Sequence, residues 1–324
     1  MRAPNNETHR LRYATWDERF RVEKPYTIVS DMPWLEGTHK TNLTFAEAPE
    51  EVITDVRGHE NEFNLDDNGF TYISYKFPSI DMLNEAAVKE ILYPKAEEFL
   101  KTRVAGVDRV YLFDYRVRFH VPSLTMLIDC ALASIQRHSI SLQNDRNSKH
   151  KPTSASRERG THWYVKVLSP VGMPEVTNPI FADQSPGGAL RRVRAWMGDE
   201  TDYLLRGRVR IIKSEAPILS KERSGLTHSH CSLWFPYDYP ITDCPLAVCD
   251  GSTIRAEDML AADHVTRTYI GETVFPLYNK DAKWFYLSNQ KPDEVLVFKV
   301  FDSDDKVKAK GKQHQCWNVN SCSS

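Results

Sequence analysis

The second half of the chain sets the strongest constraint on the fold. Short β-forming runs recur there, each bounded by turn residues: Val209–Lys213, Ser232–Phe235, Leu246–Asp250, Thr273–Leu277, Trp284–Ser288 and Glu294–Phe301. Many short strands at fairly even spacing predict two stacked sheets, a β-sandwich or jelly roll, rather than a parallel sheet with crossover helices. The chain has 324 residues, 41% of them hydrophobic, enough to bury a large core.

The first half adds helices. Leu83, Ala87, Ile91 and Phe99 recur at helical spacing within Ile80–Thr102, and Pro94 is expected to kink this segment or start a second helix. Gly187–Leu205 predicts another helix, with Leu190, Val193, Trp196 and Leu204 on its apolar side and Gly207 to end it. Val52–Phe77 reads as strands, with Asp66-Asp67-Asn68-Gly69 turning into Phe70, Tyr72 and Tyr75. Arg109–Phe119 alternates apolar and charged residues and predicts a strand. Ser123–His138 predicts an amphipathic helix, and Ser139–Gly160, with almost nothing apolar, a surface loop.

These readings give an α+β chain expected to form one domain over residues 1–324. Its parts are an N-terminal arm of extended segments and turns (1–50), strands and a helix (51–121), an inserted helix and polar loop (122–160), a jelly-roll core (161–314) and a tail (315–324).

Composition excludes some functions. Charged residues make up 27% and the net charge is −2, with no basic concentration of the kind nucleic acid requires. No apolar run is long enough to span a bilayer, and the first residues lack the apolar stretch of a secretory signal. Cys130, Cys231, Cys244, Cys249, Cys316 and Cys322 form no Cys-x-x-Cys pair and are expected to be reduced thiols in a cytoplasmic protein.

Several segments, in order, carry a resemblance. They are Asp55-Val56-Arg57-Gly58 with Phe63 and Gly69-Phe70, Val110–Arg118, Asp183-Gln184-Ser185-Pro186-Gly187-Gly188-Ala189, Pro245–Asp250, Lys283–Ser288, and Asp293–Lys299 leading to Phe301-Asp302-Ser303. Together they resemble the AsaB-like hydroxylase/desaturase family of non-haem iron, 2-oxoglutarate-dependent oxygenases. That family includes a fungal gibberellin desaturase and the smaller component of the cephamycin methoxylation system. The resemblance implies a double-stranded β-helix, the cupin-like form of the jelly roll, with flanking helices.

It also implies an iron site made of two histidines and one carboxylate, the facial triad that leaves positions open for 2-oxoglutarate and oxygen. The family's His-x-Asp motif falls on Phe181-Ala182-Asp183. Asp183 matches the carboxylate. Phe181 stands where the first histidine belongs, and a phenyl ring has no lone pair to donate. His314 matches the distal histidine. The family's following arginine, whose fork pairs with the 2-oxoglutarate carboxylate, has no counterpart in the Gln315–Ser324 stretch. Trp234-Phe235-Pro236 departs from the family's Trp-Arg-Pro, and the preceding stretch 214–231, with His228 and His230, reads as an insertion.

Plainer roles compete with these. Asp183 is as well suited to cap the helix that follows it. His314, His228, His230 and His162 suit solvated positions. Trp234, Trp284 and Tyr286 suit the core or a pocket wall. The resemblance implies a chain without its own iron or 2-oxoglutarate. Such a chain resembles the iron-free subunit of a talaromyolide-type meroterpenoid oxygenase heterodimer, whose active partner holds Fe(II), 2-oxoglutarate and a terpenoid- or polyketide-like substrate. Leu127 and Ile135, on the apolar side of the inserted helix, are the expected partner contacts. The alternatives are an oxygenase with an altered triad and a metal-free isomerase or cyclase using Asp183 or Glu294.

Overall fold

The computed structural model describes residues 5–28, 39–80, 84–112, 117–119, 185–213, 216–218, 240–241, 245–267, 270–310 and 314–316. The expected helix Ser123–His138, the polar loop Ser139–Gly160 and the strand Ser232–Phe235 lie outside these residues.

Two sheets face each other. The larger has the order β1 (Glu7–Ala14), β3 (Phe45–Asp55), β11 (Trp284–Tyr286), β8 (Leu246–Cys249), β13 (His314–Cys316). All its pairings are antiparallel except β11 on β3, which runs parallel with Trp284 opposite Ile53. The smaller is antiparallel, with the order β4 (Phe70–Ser74), β12 (Glu294–Asp302), β6 (Arg210–Lys213). A third sheet joins β10 (Ile270–Pro276), β9 (Met259–Val265) and β2 (Tyr26–Ile28), and β5 (Val117–Phe119) pairs with β7 (Ala216–Ile218).

Side-chain alternation explains how the layers bury themselves, because successive residues of a strand face opposite sides. Leu246 and Val248 of β8 and Phe285 of β11 meet Phe70 and Tyr72 of β4, Leu296, Phe298 and Val300 of β12, and Ile211 of β6. This is the jelly-roll interior. The intervening Ile73, Val295, Val297 and Ile212 face away from it and pack on Ala96, Phe99 and Leu100 of helix α1 (Tyr93–Arg103). Strand β12 lies between two strands, with apolar neighbours on both faces, which is why its sequence is a nearly unbroken apolar run.

The jelly-roll core with flanking helices is the architecture the sequence predicts. Pro94 occupies the first turn of α1, directly after a π-helical turn over Val88–Leu92, so the expected interruption is present. Helix α2 (Pro186–Met197) is shorter than expected. Gly198 adopts φ +53°, the chain makes a 3-10 turn, and α3 (Thr201–Leu204) follows.

Two further expectations need correction. Of the expected strand over Arg109–Phe119, the described residues 109–112 lie outside any strand and 117–119 form β5. Val110 and Leu112 instead lay their apolar sides on the α1 cluster while Tyr111 stays 51% exposed, so the alternation reflects docking without a ladder. The N-terminal arm contains β1 and β2 and leads into β3.

Candidate functional site

The interior between the two main sheets is where a jelly roll carries its chemistry. Among the described residues it is lined by aromatic and aliphatic side chains. Phe63 stacks on Phe70 at 4.8 Å between centroids, and Phe285 closes the group at 4.9 Å from Phe63 and 5.8 Å from Phe70. The Tyr72 hydroxyl is buried there without a hydrogen-bond partner, and burial, reinforced by Asp55, pushes its pKa up.

At one edge of this interior, β13 begins at His314, directly opposite Val248. The distal-ligand position therefore sits in the sheet strand adjoining β8. On the α2 side, Ser185 is the helix cap: its Oγ accepts from Gly188 N at 2.9 Å. The capping role weighed for Asp183 thus belongs to Ser185. The Ser185 hydroxyl also donates to Glu272 Oε1, and Ser185 N donates to the Glu272 carbonyl at 3.3 Å.

Glu272 is held in turn by Lys24 at 2.5 Å and Arg191 at 3.6 Å. Burial raises its pKa, but the bonds from Lys24 and Ser185 outweigh this and leave it lowered, so it is ionised. A Cβ on Gly188 would lie 3.0 Å from the Glu272 carbonyl oxygen, so only glycine lets α2 seat this closely on β10. Sequence reasoning missed this seat. The Gly187-Gly188 pair was its one local signal.

Trp284 and Tyr286 occupy the core of the opposite face of the five-stranded sheet, with Leu11, Ile53 and the buried Cys249. They do not line the interior; Phe285 between them does. Trp284 Nε1 donates to the Tyr13 hydroxyl at 3.0 Å, and Tyr13 donates to both Glu51 oxygens at 2.9 and 3.0 Å. Burial pushes Glu51 up to about 7, against the lowering effect of the Tyr13 hydrogen bond. Glu294 is not an available base: both its oxygens meet the Arg57 guanidinium, at 2.5 and 3.0 Å, and Arg57 also donates to the Ser288 carbonyl. Phe181, Asp183, Trp234, Leu127, Ile135 and the histidines 162, 228 and 230 lie outside the described residues.

The family resemblance would put Asp183, His314 and Phe181 at the three ligand positions, and a phenyl ring cannot coordinate a metal. Among the described residues no group of three or more His, Cys, Asp or Glu is placed to hold a metal ion.

Fold and motif order define a jelly-roll protein of the iron and 2-oxoglutarate oxygenase type. The comparisons agree. A family described as "Oxidoreductase/YMDC permease-like domain" matches residues 11–224 and 215–323. The Fe(II)/2-oxoglutarate-dependent dioxygenase nvfI of Aspergillus novofumigatus is 30% identical over 273 residues, covering 82% of this chain and 74% of that protein. Hydroxylase/desaturase poxK of Penicillium oxalicum is 23% identical, covering 86% and 73%. Aspirochlorine biosynthesis protein N of Aspergillus oryzae is 32% identical over 139 residues, which are 41% of this chain and 47% of that relative, so the match spans about half its length. The solved structure of the iron and alpha-ketoglutarate-dependent endoperoxidase NvfI superposes with a TM-score of 0.64 at 21% identity, covering 97% of this chain and 90% of that one. The chain belongs to this fungal family of iron- and 2-oxoglutarate-dependent oxygenase-like proteins. Among the described residues, no helix is long and apolar enough to cross a membrane.

Proposed function

We propose that this chain is a non-catalytic or weakly catalytic subunit that supports an intact paralogous oxygenase in fungal secondary metabolism, in a meroterpenoid pathway. The observation that carries this reading is Phe181 at the first iron-ligand position.

The fold-shaping residues of the family motifs are engaged. Arg57 clamps Glu294, Ser185 seats α2 on Glu272, and Asp302 binds Arg208 and Lys299. A chain kept folded but stripped of ligands suits a partner role. In this reading the chain is one oxygenase-like domain working in the cytoplasm. The partner holds Fe(II), 2-oxoglutarate and the terpenoid- or polyketide-like substrate, and Leu127 and Ile135 contact that partner.

Co-expression with the most similar His-x-Asp paralogue from the same source tests this. The two chains copurify, and turnover requires the pair and the paralogue's ligands. Leu127→Glu with Ile135→Glu separates them. A complex indifferent to both substitutions removes these residues from the contact, and an active isolated chain overturns the subunit reading.

A second reading keeps the chain as an oxygenase with an altered triad of Asp183 and His314. The retained β13 strand, paired with β8 at the distal-ligand position, favours it. Anaerobic Fe(II) titration decides: a tight one-to-one site with a 2-oxoglutarate-dependent colour supports it, and the lack of such a site eliminates it.

A further inference from the structure

Strand β12 ends at Asp302 in the three-stranded sheet, and β13 begins at His314 in the five-stranded sheet. The chain between them therefore crosses from one sheet to the other at one end of the sandwich. Its first part, residues 303–310, is held down by charge more than by apolar contact.

The holding points form two tiers. The inner tier is dry. Asp302 and Lys299 have fully buried side chains and meet at 2.6 Å. Arg208 grips the same carboxylate with two bonds, at 3.0 and 2.6 Å. The outer tier is wet and holds the segment itself. Lys308, 72% exposed, reaches Asp67 at 2.7 Å, and Asp304 reaches Arg208 at 3.8 Å. Asp66 bridges the tiers, meeting Arg208 at 2.6 Å and the buried Lys299 at 3.6 Å.

Backbone bonds complete the clasp. Ser303 N donates to the Val209 carbonyl, and Ala309 N donates to the Asp66 carbonyl. Only Ala309 adds a buried apolar side chain. The turn that carries Asp66 and Asp67 also joins the other sheet, because Asn68 donates to Asp250 at 2.9 Å and accepts from Gly251 N. Turn and segment together close this end of the jelly roll.

The two tiers respond differently to solvent. Exposed pairs are worth little and are screened by salt, whereas buried pairs are screened far less and are costly to break. We infer that residues 303–310 form a strap that opens as a unit when the Asp67–Lys308 and Asp304–Arg208 pairs are weakened, while Lys299, Asp302 and Arg208 keep β12 in place. Opening uncovers the end of the sandwich towards which the strap runs, so access to that end is set by ionic strength. This inference stands whether or not the chain binds iron or a partner.

Hydrogen exchange followed by mass spectrometry tests it on the full chain. Raising salt from about 50 mM to about 500 mM shortens the screening length several-fold. The amides of 303–310 should then exchange severalfold faster, with those of Leu296–Val300 unchanged. Asp67→Asn with Asp304→Asn should reproduce that acceleration at low salt and abolish most of the salt response. Trypsin should cut after Lys306 and Lys308 faster in this variant, although it remains folded. Glu98→Gln, which breaks a surface pair on α1, serves as the control and should leave the strap unchanged. Exchange in 303–310 that ignores both salt and the double substitution overturns the inference. So does exchange that rises in step with β12, which would make the segment part of the cooperative barrel.

Discussion

The two faces of the five-stranded sheet solve the same burial problem in different ways. The interior face packs Leu246, Val248 and Phe285 against aromatic rings and leaves one hydroxyl, Tyr72, unsatisfied. The outer face is as well buried, yet its polar groups are linked: Trp284 donates to Tyr13 and Tyr13 to Glu51. In an oxygenase fold the polar groups would be expected inside, at the metal. Among the described residues the interior is apolar apart from Tyr72, and the organised polar chain lies on the outer face.

The largest effect expected from this contrast is in the interior. Phe298 is fully buried between β4 and β6, so Phe298→Ala should cost about 3–5 kcal/mol in a denaturant titration. A loss under about 1 kcal/mol would mean that the interior is loosely packed and has room for a ligand.

The outer face should respond to pH. Glu51 has a folded pKa of about 7, above its ordinary value of 4.5, so the protonated form is favoured by folding. Its contribution is complete below pH 4.5 and is lost as pH rises through 7. Between pH 5 and 8 the wild type should lose about 1–2 kcal/mol more than Glu51→Gln, a figure reduced for the part of this carboxyl that water still screens. Parallel stability profiles for the two proteins would show that Glu51 is as well solvated folded as unfolded.

The smallest effect has the opposite sign. Removing an unpaired buried hydroxyl relieves its desolvation cost, so Tyr72→Phe should stabilise the protein by about 1 kcal/mol. Destabilisation in a thermal melt would show that the hydroxyl is bonded in solution and that the interior is more polar than described above.

The parts of the fold that could be read from the sequence are those whose pattern is local. Strand β12 announces itself as Glu294–Phe301, and the apolar spacing within Gly187–Leu205 announces α2, although its cap is Ser185 rather than the Asp183 the sequence suggested. Strand β1 does not, because only Leu11, Tyr13 and Ala14 of its eight residues are buried and the rest are Glu7, Thr8, His9, Arg10 and Arg12. The Arg109–Leu112 stretch has the right alternation for a strand, but it joins no ladder. At the site, the mismatch at Phe181 is legible only by motif. The pairs that organise the surroundings are invisible to local pattern: Tyr13 meets Glu51 across 38 residues, Ser185 meets Glu272 across 87, and Arg208 meets Asp302 across 94.

The seat of α2 bears on mutational tolerance. Gly188 fixes how near the helix lies to β10, and Glu272 holds it from the far side through Lys24 and Arg191. Position 188 therefore tolerates only glycine, because any side chain there lifts α2 from β10 and pulls Ser185 away from Glu272.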